Sequence, residues 1–190
     1  MNTRKFLPIL FLAGTLFVSC SDDDDNPTPV NEEEVITTMT VRLTAGNDVV
    51  TLKVFDEDGA DGPTAPVVEI SGNLAANTTY NGTVELLNEA ENPAEDINEE
   101  IEAEADEHQF FFAAGGGLNL ITSYTDTEAD YPPLTGTNPV GLTFDLETTD
   151  ASTGTFTITL RHMPKKPNDG TLADAGGDTD ISQSFTVTIQ

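Results

Sequence analysis

Polar and apolar side chains alternate along the stretch Thr155-Phe156-Thr157-Ile158-Thr159-Leu160-Arg161-His162. This alternation is the strongest indication of the fold class. Successive side chains of a β-strand point to opposite faces, so the apolar residues share one face and the threonines share the other. One apolar and one hydroxyl-bearing face are typical of an antiparallel sheet with its core on one side and water on the other. His162 continues the apolar face.

The same alternation recurs from Val35 to the C-terminus, in about nine segments that Asp, Asn, Gly and Pro residues separate. This spacing of short strands favours two packed antiparallel sheets. The sequence therefore predicts an all-β fold, a single antiparallel β-sandwich over residues 35–190.

One segment breaks the strand pattern. Asn92-Pro93-Ala94-Glu95 has the residues of a helix start, with Pro at the first helical position and Glu at the third. Ile97, Ile101 and Ala105 then recur every four residues, which gives a helix one narrow apolar stripe. We expect one short inserted helix near 93–106.

The N-terminus has the pattern of a secretory signal. Basic residues Arg4 and Lys5 precede an apolar run over 6–18, and Ser19-Cys20 closes it. The run is too short to span a bilayer. The pattern resembles a lipoprotein signal, which implies removal of residues 1–19 and lipidation of Cys20. Residues 20–34, acidic and proline-containing, then predict a flexible tether.

The acidic run Asp22–Asp25 resembles the surface-export signal of Bacteroidota-type lipoproteins. That resemblance implies a protein of the outer membrane, lipid-anchored and exposed at the cell surface. The chain has 34 acidic and 7 basic residues and a net charge of −27. Nucleic acid is therefore excluded as a partner, since its phosphates would be repelled. Contact with the membrane is expected through the lipid anchor alone.

Four segments together resemble a family of flavobacterial-type lipoproteins labelled "type 1 periplasmic binding fold superfamily protein". They are Asn31–Thr38, Leu74–Tyr80, Glu104–Phe111 and Leu160–His162. The resemblance implies a cell-envelope lipoprotein and, by the family's label, binding of a small ligand.

Two histidines, His108 and His162, are the strongest candidates for a site. Both continue apolar faces at strand ends, and Glu104 lies four residues before His108. Glu104, His108 and His162 predict a metal site of the zinc type, and the two imidazoles alone are also the axial ligands that haem takes. The alternative is a pair of ordinary buried histidines that never meet.

Asp56-Glu57-Asp58-Gly59-Ala60-Asp61 is a second candidate site. Closely spaced Asp56, Asp58 and Asp61 supply the oxygen ligands that Ca²⁺ prefers. An acidic hairpin loop without an ion is the alternative, because Asp and Gly are common turn residues.

A third cluster, Arg161, Lys165 and Lys166, contains three of the chain's few cations. It predicts either a docking point for a carboxylate or phosphate, or a locally salt-bridged loop.

The sequence has no nucleophile, phosphate-loop or dinucleotide motif, so we expect no enzyme. The expected function is a binding or accessory module of the envelope for a metal ion or haem-like ligand. An outer-membrane transporter or a small ligand is the expected partner. The alternative is a non-enzymatic structural or adhesion module with Ca²⁺-stabilised loops.

Overall fold

The computed structural model describes residues 35–59 and 62–190. The predicted signal peptide (1–19), Cys20, the tether (20–34) and Asp61 lie outside the described residues. The prediction of an all-β fold is confirmed: about half of the described residues are strand, arranged in two antiparallel sheets, and the helices are short.

The described residues form ten strands, two short α-helices and one 3-10 turn, as follows. The strands are β1 (Thr38–Ala45), β2 (Asp48–Phe55), β3 (Val67–Ile70), β4 (Thr79–Asn88), β5 (Glu95–Asp96), β6 (His108–Gly115), β7 (Leu120–Tyr124), β8 (Thr143–Thr148), β9 (Ser152–His162) and β10 (Asp178–Ile189). The helices are α1 (Asn98–Ala103) and α2 (Leu172–Ala175), and the 3-10 turn is Glu128–Asp130.

The two sheets differ in width. The larger sheet has the order β3-β2-β1-β4-β8-β7, with β5 paired to β4, and the smaller sheet has the order β10-β9-β6. Every strand pair in them is antiparallel. The strand that decided the fold, β9, is therefore the centre of the smaller sheet.

The core lies between the sheets, where apolar faces meet. Phe156, Ile158 and Leu160 of β9 are completely buried, as the alternation predicted. Phe144 of β8 packs across the core against Phe112 of β6, with ring centroids 4.2 Å apart. Burial of such faces supplies the main free energy that holds two sheets together.

Opposite the core, the smaller sheet carries hydroxyl pairs between β9 and β10. Thr157 and Ser184 hydroxyls lie 2.7 Å apart, and Thr159 and Ser182 hydroxyls lie 2.8 Å apart. Cross-strand hydrogen bonds of this kind add to sheet stability. The threonine face predicted from the sequence is thus the face away from the core.

The helix prediction needs correction in its bounds. α1 begins at Asn98 rather than at Pro93, because Glu95 and Asp96 pair with β4 instead of starting a helix. The Asn98 side chain holds this junction: it accepts from Leu86 N–H and donates to the Val84 carbonyl. The apolar stripe is nevertheless buried as expected. Among the described residues, no helix has the length and apolar character needed to cross a bilayer.

Candidate metal site and the buried lysine beside it

The register of the smaller sheet places the two histidines directly opposite each other. His108 is the first residue of β6 and His162 the last of β9, and they are cross-strand partners. Their side chains continue the core face and are 0% and 7% exposed. The imidazoles stack, with centroids 4.6 Å apart and planes inclined by 9°. The two histidines therefore do meet.

Glu104 approaches the same point from the turn that joins α1 to β6. One ligand atom from each of Glu104, His108 and His162 lies within 4.8 Å of the other two. Glu104 is exposed, whereas both histidines are buried. The structure thus assembles the three residues named from the sequence into a possible metal-binding group.

The two imidazoles have different hydrogen bonding. His108 Nδ1 lies 3.1 Å from the Glu104 carbonyl oxygen. A carbonyl can only accept, so Nδ1 carries a proton, and in the neutral ring the lone pair is then on Nε2. His162 Nδ1, in contrast, is buried and has no hydrogen-bond partner among residues 35–59 and 62–190. Most buried polar side-chain atoms do have a partner, so this nitrogen requires an explanation.

Glu107 is a member of the site that the sequence analysis missed. Its Oε2 lies 3.8 Å from His162 Nε2, and its carbonyl accepts from Met163 N–H at 2.7 Å. Glu107 lies in the turn before β6, where strand parity does not apply, so its adjacency to His108 was the one signal in the sequence. We call Glu104, Glu107, His108 and His162 the histidine cluster.

A buried lysine lies beside the histidine cluster. Lys166 Nζ donates to the carbonyls of Ala105 and His108, at 2.5 and 2.6 Å, and it lies 3.3 Å from Glu128 Oε1. The Lys166 and Glu128 side chains are only 5% and 4% exposed. Burial lowers the pKa of Lys166, while the Glu128 carboxylate partly opposes that shift.

Further hydrogen bonds complete this second group. The Asn138 side chain donates to both Glu128 oxygens. The Asp126 carboxylate accepts from Gly141 N–H at 2.7 Å and from Tyr131 Oη at 2.7 Å. Burial and the Asp126 hydrogen bond raise the pKa of Tyr131. We call Asp126, Glu128, Tyr131, Asn138 and Lys166 the lysine cluster.

The basic residues singled out from the sequence all have partners within the chain. Besides Lys166, Lys165 Nζ pairs with Asp174 Oδ1 at 2.8 Å, and Arg161 donates to the Gly177 carbonyl. This agrees with the salt-bridged loop, one of the two alternatives that the sequence left open. The Lys166–Glu128 pair is long-range and buried, which no local sequence pattern indicated.

The acidic loop after β2 is described only in part. Asp58 Oδ2 accepts from Thr64 N–H at 3.1 Å. Asp56 Oδ1 is buried and has no hydrogen-bond partner among the described residues. Burial, and next the neighbouring Asp58 carboxylate, raise the pKa of Asp56. The contribution of Asp61 lies outside the described residues, so calcium binding by this loop stays a prediction.

Comparison of the chain with known protein families, with curated proteins and with solved structures gives no match in any of the three. The geometry of the chain itself therefore carries the argument about function.

Proposed function

We propose that this chain is a lipid-anchored envelope protein whose β-sandwich binds a transition-metal ion at Glu104, His108 and His162. One observation carries the metal proposal: the His162 imidazole is buried, yet no described residue hydrogen-bonds to its Nδ1. A buried polar atom without a partner costs about 1–3 kcal/mol. A metal ion on Nδ1 removes that cost.

The arrangement assigns an atom to each ligand. His108 coordinates through Nε2, since its Nδ1 proton is held by the Glu104 carbonyl. His162 coordinates through Nδ1, which leaves the Nε2 proton on the side of the Glu107 carboxylate, whose Oε2 lies 3.8 Å from Nε2. Metal-bound histidines commonly donate their second N–H to a carboxylate or a backbone carbonyl, which fixes the tautomer. The Glu104 carboxylate is the third ligand. Two imidazoles and a carboxylate suit Zn²⁺.

Binding requires the stacked imidazoles to separate. A metal lies close to the plane of each imidazole that binds it, and two planes inclined by 9° at this spacing do not meet at a common ion. One ring must therefore rotate about its side-chain bonds when the ion enters. Haem fits less well, because a porphyrin between the two histidines would have to displace much of the surrounding core. A bare ion is the ligand that we propose.

The proposed place of the protein follows from its N-terminal sequence. Residues 1–19 act as a signal peptide, and lipidated Cys20 anchors the domain in the outer membrane, facing the cell surface. The net charge of −27 raises the local concentration of cations. The domain is then an accessory module that collects a metal ion and delivers it to an outer-membrane transporter. Cys20→Ala should release the protein from the membrane fraction or block its processing, and unchanged membrane association would contradict the anchor.

Calorimetric titration of the full chain with Zn²⁺ tests the metal proposal. We expect one ion per chain, and we expect His108→Ala and His162→Ala each to abolish that binding event. Glu99→Gln is the matched control, because Glu99 is an exposed carboxylate of α1 outside the histidine cluster. Equal binding by the His162→Ala variant would contradict the assignment.

A second candidate function is a structural or adhesion module stabilised by Ca²⁺ at the loop after β2. The buried, unpartnered Asp56 Oδ1 favours it. In that case Ca²⁺, rather than Zn²⁺, should raise the unfolding temperature, and Asp58→Asn should remove the effect. A calcium response that survives Asp58→Asn would count against this loop.

A further inference from the structure

A single ammonium group joins the two chain segments that carry the metal ligands. Lys166 follows His162 by four residues in the loop after β9, and its Nζ bonds to the carbonyls of Ala105 and His108. These carbonyls lie on either side of Glu107, in the segment that carries Glu104 and His108. The position of one ligand segment relative to the other therefore depends on Lys166.

We propose that Lys166 is a positioning residue of the metal site, an inference that rests on the proposed metal-binding function. A protonated lysine has three donors and no lone pair, so Lys166 does not itself coordinate the ion. Its three contacts, with two carbonyls and Glu128, use all three donors. The ammonium is thereby fixed, and it fixes the backbone at His108. Residues that hold metal ligands in place without touching the metal commonly contribute about 10–100-fold to metal affinity.

If Lys166 acted only through its charge, its removal would change the metal affinity in the opposite direction. The direction of the change therefore distinguishes a purely electrostatic role from a positioning role. A cation next to a divalent ion repels it, and removal of Lys166 as a mere charge would strengthen metal binding. Glu128, 3.3 Å from Nζ, offsets much of that repulsion. Loss of the two carbonyl contacts, in contrast, frees the His108 segment and weakens binding. Weaker binding without Lys166 is therefore the signature of positioning.

The test compares Zn²⁺ affinity in the full chain and in the double variant Lys166→Met/Glu128→Gln. The second substitution keeps the buried pair neutral, so no carboxylate is left without its cation. We expect zinc binding to weaken by about 10–100-fold. Lys165→Met is the matched control, since the neighbouring Lys165 side chain is 61% exposed and its Nζ pairs with Asp174. It should leave the affinity unchanged.

Co²⁺ absorption provides a readout that a merely structural role would not move. Wild-type protein and Lys165→Met should give the same Co²⁺ spectrum, while the double variant should give a weaker, altered one, because the ligand geometry is no longer fixed. Both readouts are taken at a temperature where the variants have the far-UV spectrum of the wild type. Loss of stability alone then has no effect on them.

The outcomes separate the two proposals. If the wild type binds no zinc, the proposed function is wrong. If the wild type binds zinc and the double variant binds it equally well or more tightly, the positioning role is wrong. Should the double variant not fold, Lys166→Arg takes its place, since it keeps the charge beside Glu128 and changes the shape of the group that donates to the two carbonyls. Weaker zinc binding by that variant supports the positioning role, and unchanged binding overturns it.

Discussion

The lysine cluster and the histidine cluster are neighbouring buried polar groups, and they differ in how completely their atoms are paired. In the lysine cluster, Glu128 accepts from Asn138 and Lys166, and Asp126 accepts from two backbone N–H groups and Tyr131. In the histidine cluster, His162 Nδ1 has no hydrogen-bond partner in the part of the chain that the structure describes. The two groups meet at His108, whose carbonyl accepts from Lys166.

This difference in hydrogen bonding indicates a different role for each cluster. A buried polar network in which every atom has a hydrogen-bond partner rigidifies the fold. A buried polar atom without a partner lowers the stability of the unliganded protein. The pairing in the lysine cluster indicates a contribution to stability, and the unpaired His162 Nδ1 supports the proposal that the histidine cluster binds an ion. Substitutions in the two clusters should accordingly have opposite patterns of effect.

The largest effect is expected from Lys166→Met alone. It leaves the Glu128 carboxylate buried without its cation and removes both carbonyl contacts. Breaking a buried pair on one side typically destabilises by about 3–5 kcal/mol. Urea unfolding of the metal-free protein measures it. A loss below about 1 kcal/mol, the range of surface ion pairs, would show that the lysine cluster is not the structural element described.

Ile158→Ala provides a benchmark from the apolar core between the sheets. Ile158 is fully buried in β9, and large-to-small changes at such sites cost about 2–5 kcal/mol. The same urea measurement places the lysine cluster on this scale. A far smaller loss for Ile158→Ala would mean that the β9 face does not contribute to the core.

His162→Phe should have little effect on the metal-free protein, in contrast with Lys166→Met. Phenylalanine fills a similar flat volume and removes a nitrogen that had no partner. Its effect on the free energy of unfolding should stay within about 1 kcal/mol. Zinc at about 100 times its Kd should stabilise the wild type by about 2.7 kcal/mol and leave His162→Phe unchanged. A large loss of stability without zinc would make His162 a structural residue.

The smallest effect is expected from Asp174→Asn, at the surface pair that neighbours the lysine cluster in sequence. The Lys165 hydrogen bond, and then the Asp169 N–H, lower the pKa of Asp174 below its usual 3.8. A lowered folded pKa contributes stability above the unfolded value, and this is lost as the pH falls through the folded value. Unfolding curves should therefore differ slightly near neutral pH and coincide well below pH 3.8. A difference that grows with acid would reverse this sign.

The residues that alternate strictly were predictable, and those fixed by long-range contacts were not. Parity alone placed Phe156, Ile158 and His162 on the core face, because the side-chain period of a strand is local. That His108 and His162 are direct cross-strand partners depends on strand register, which parity does not determine. Their meeting was therefore a hypothesis until the fold was known.

Two other features depend on contacts between residues far apart in the sequence, so the neighbouring residues did not predict them. The Asn92–Glu95 stretch has helix-start residues, yet pairing with β4 prevailed over that local preference at Glu95 and Asp96. From the sequence, Lys166 belonged either to a docking point or to a locally salt-bridged loop, and lysine is almost never buried unless it is paired. Its partner Glu128 lies far away in the sequence, and only the folding of the loop after β9 onto the 3-10 turn brings them together.

X-ray absorption at the zinc edge tests whether zinc is bound by the histidine cluster. The sample is the full chain loaded with one equivalent of Zn²⁺. We expect two imidazole nitrogens at about 2.0–2.1 Å from the zinc ion, with carboxylate oxygen in the same coordination shell. The imidazole signal should be lost in His162→Phe, which no longer binds zinc at the histidine cluster, and persist in Lys165→Met. A shell of oxygen alone in the wild type would contradict the account, because zinc would then be held by surface carboxylates and not by the histidine cluster.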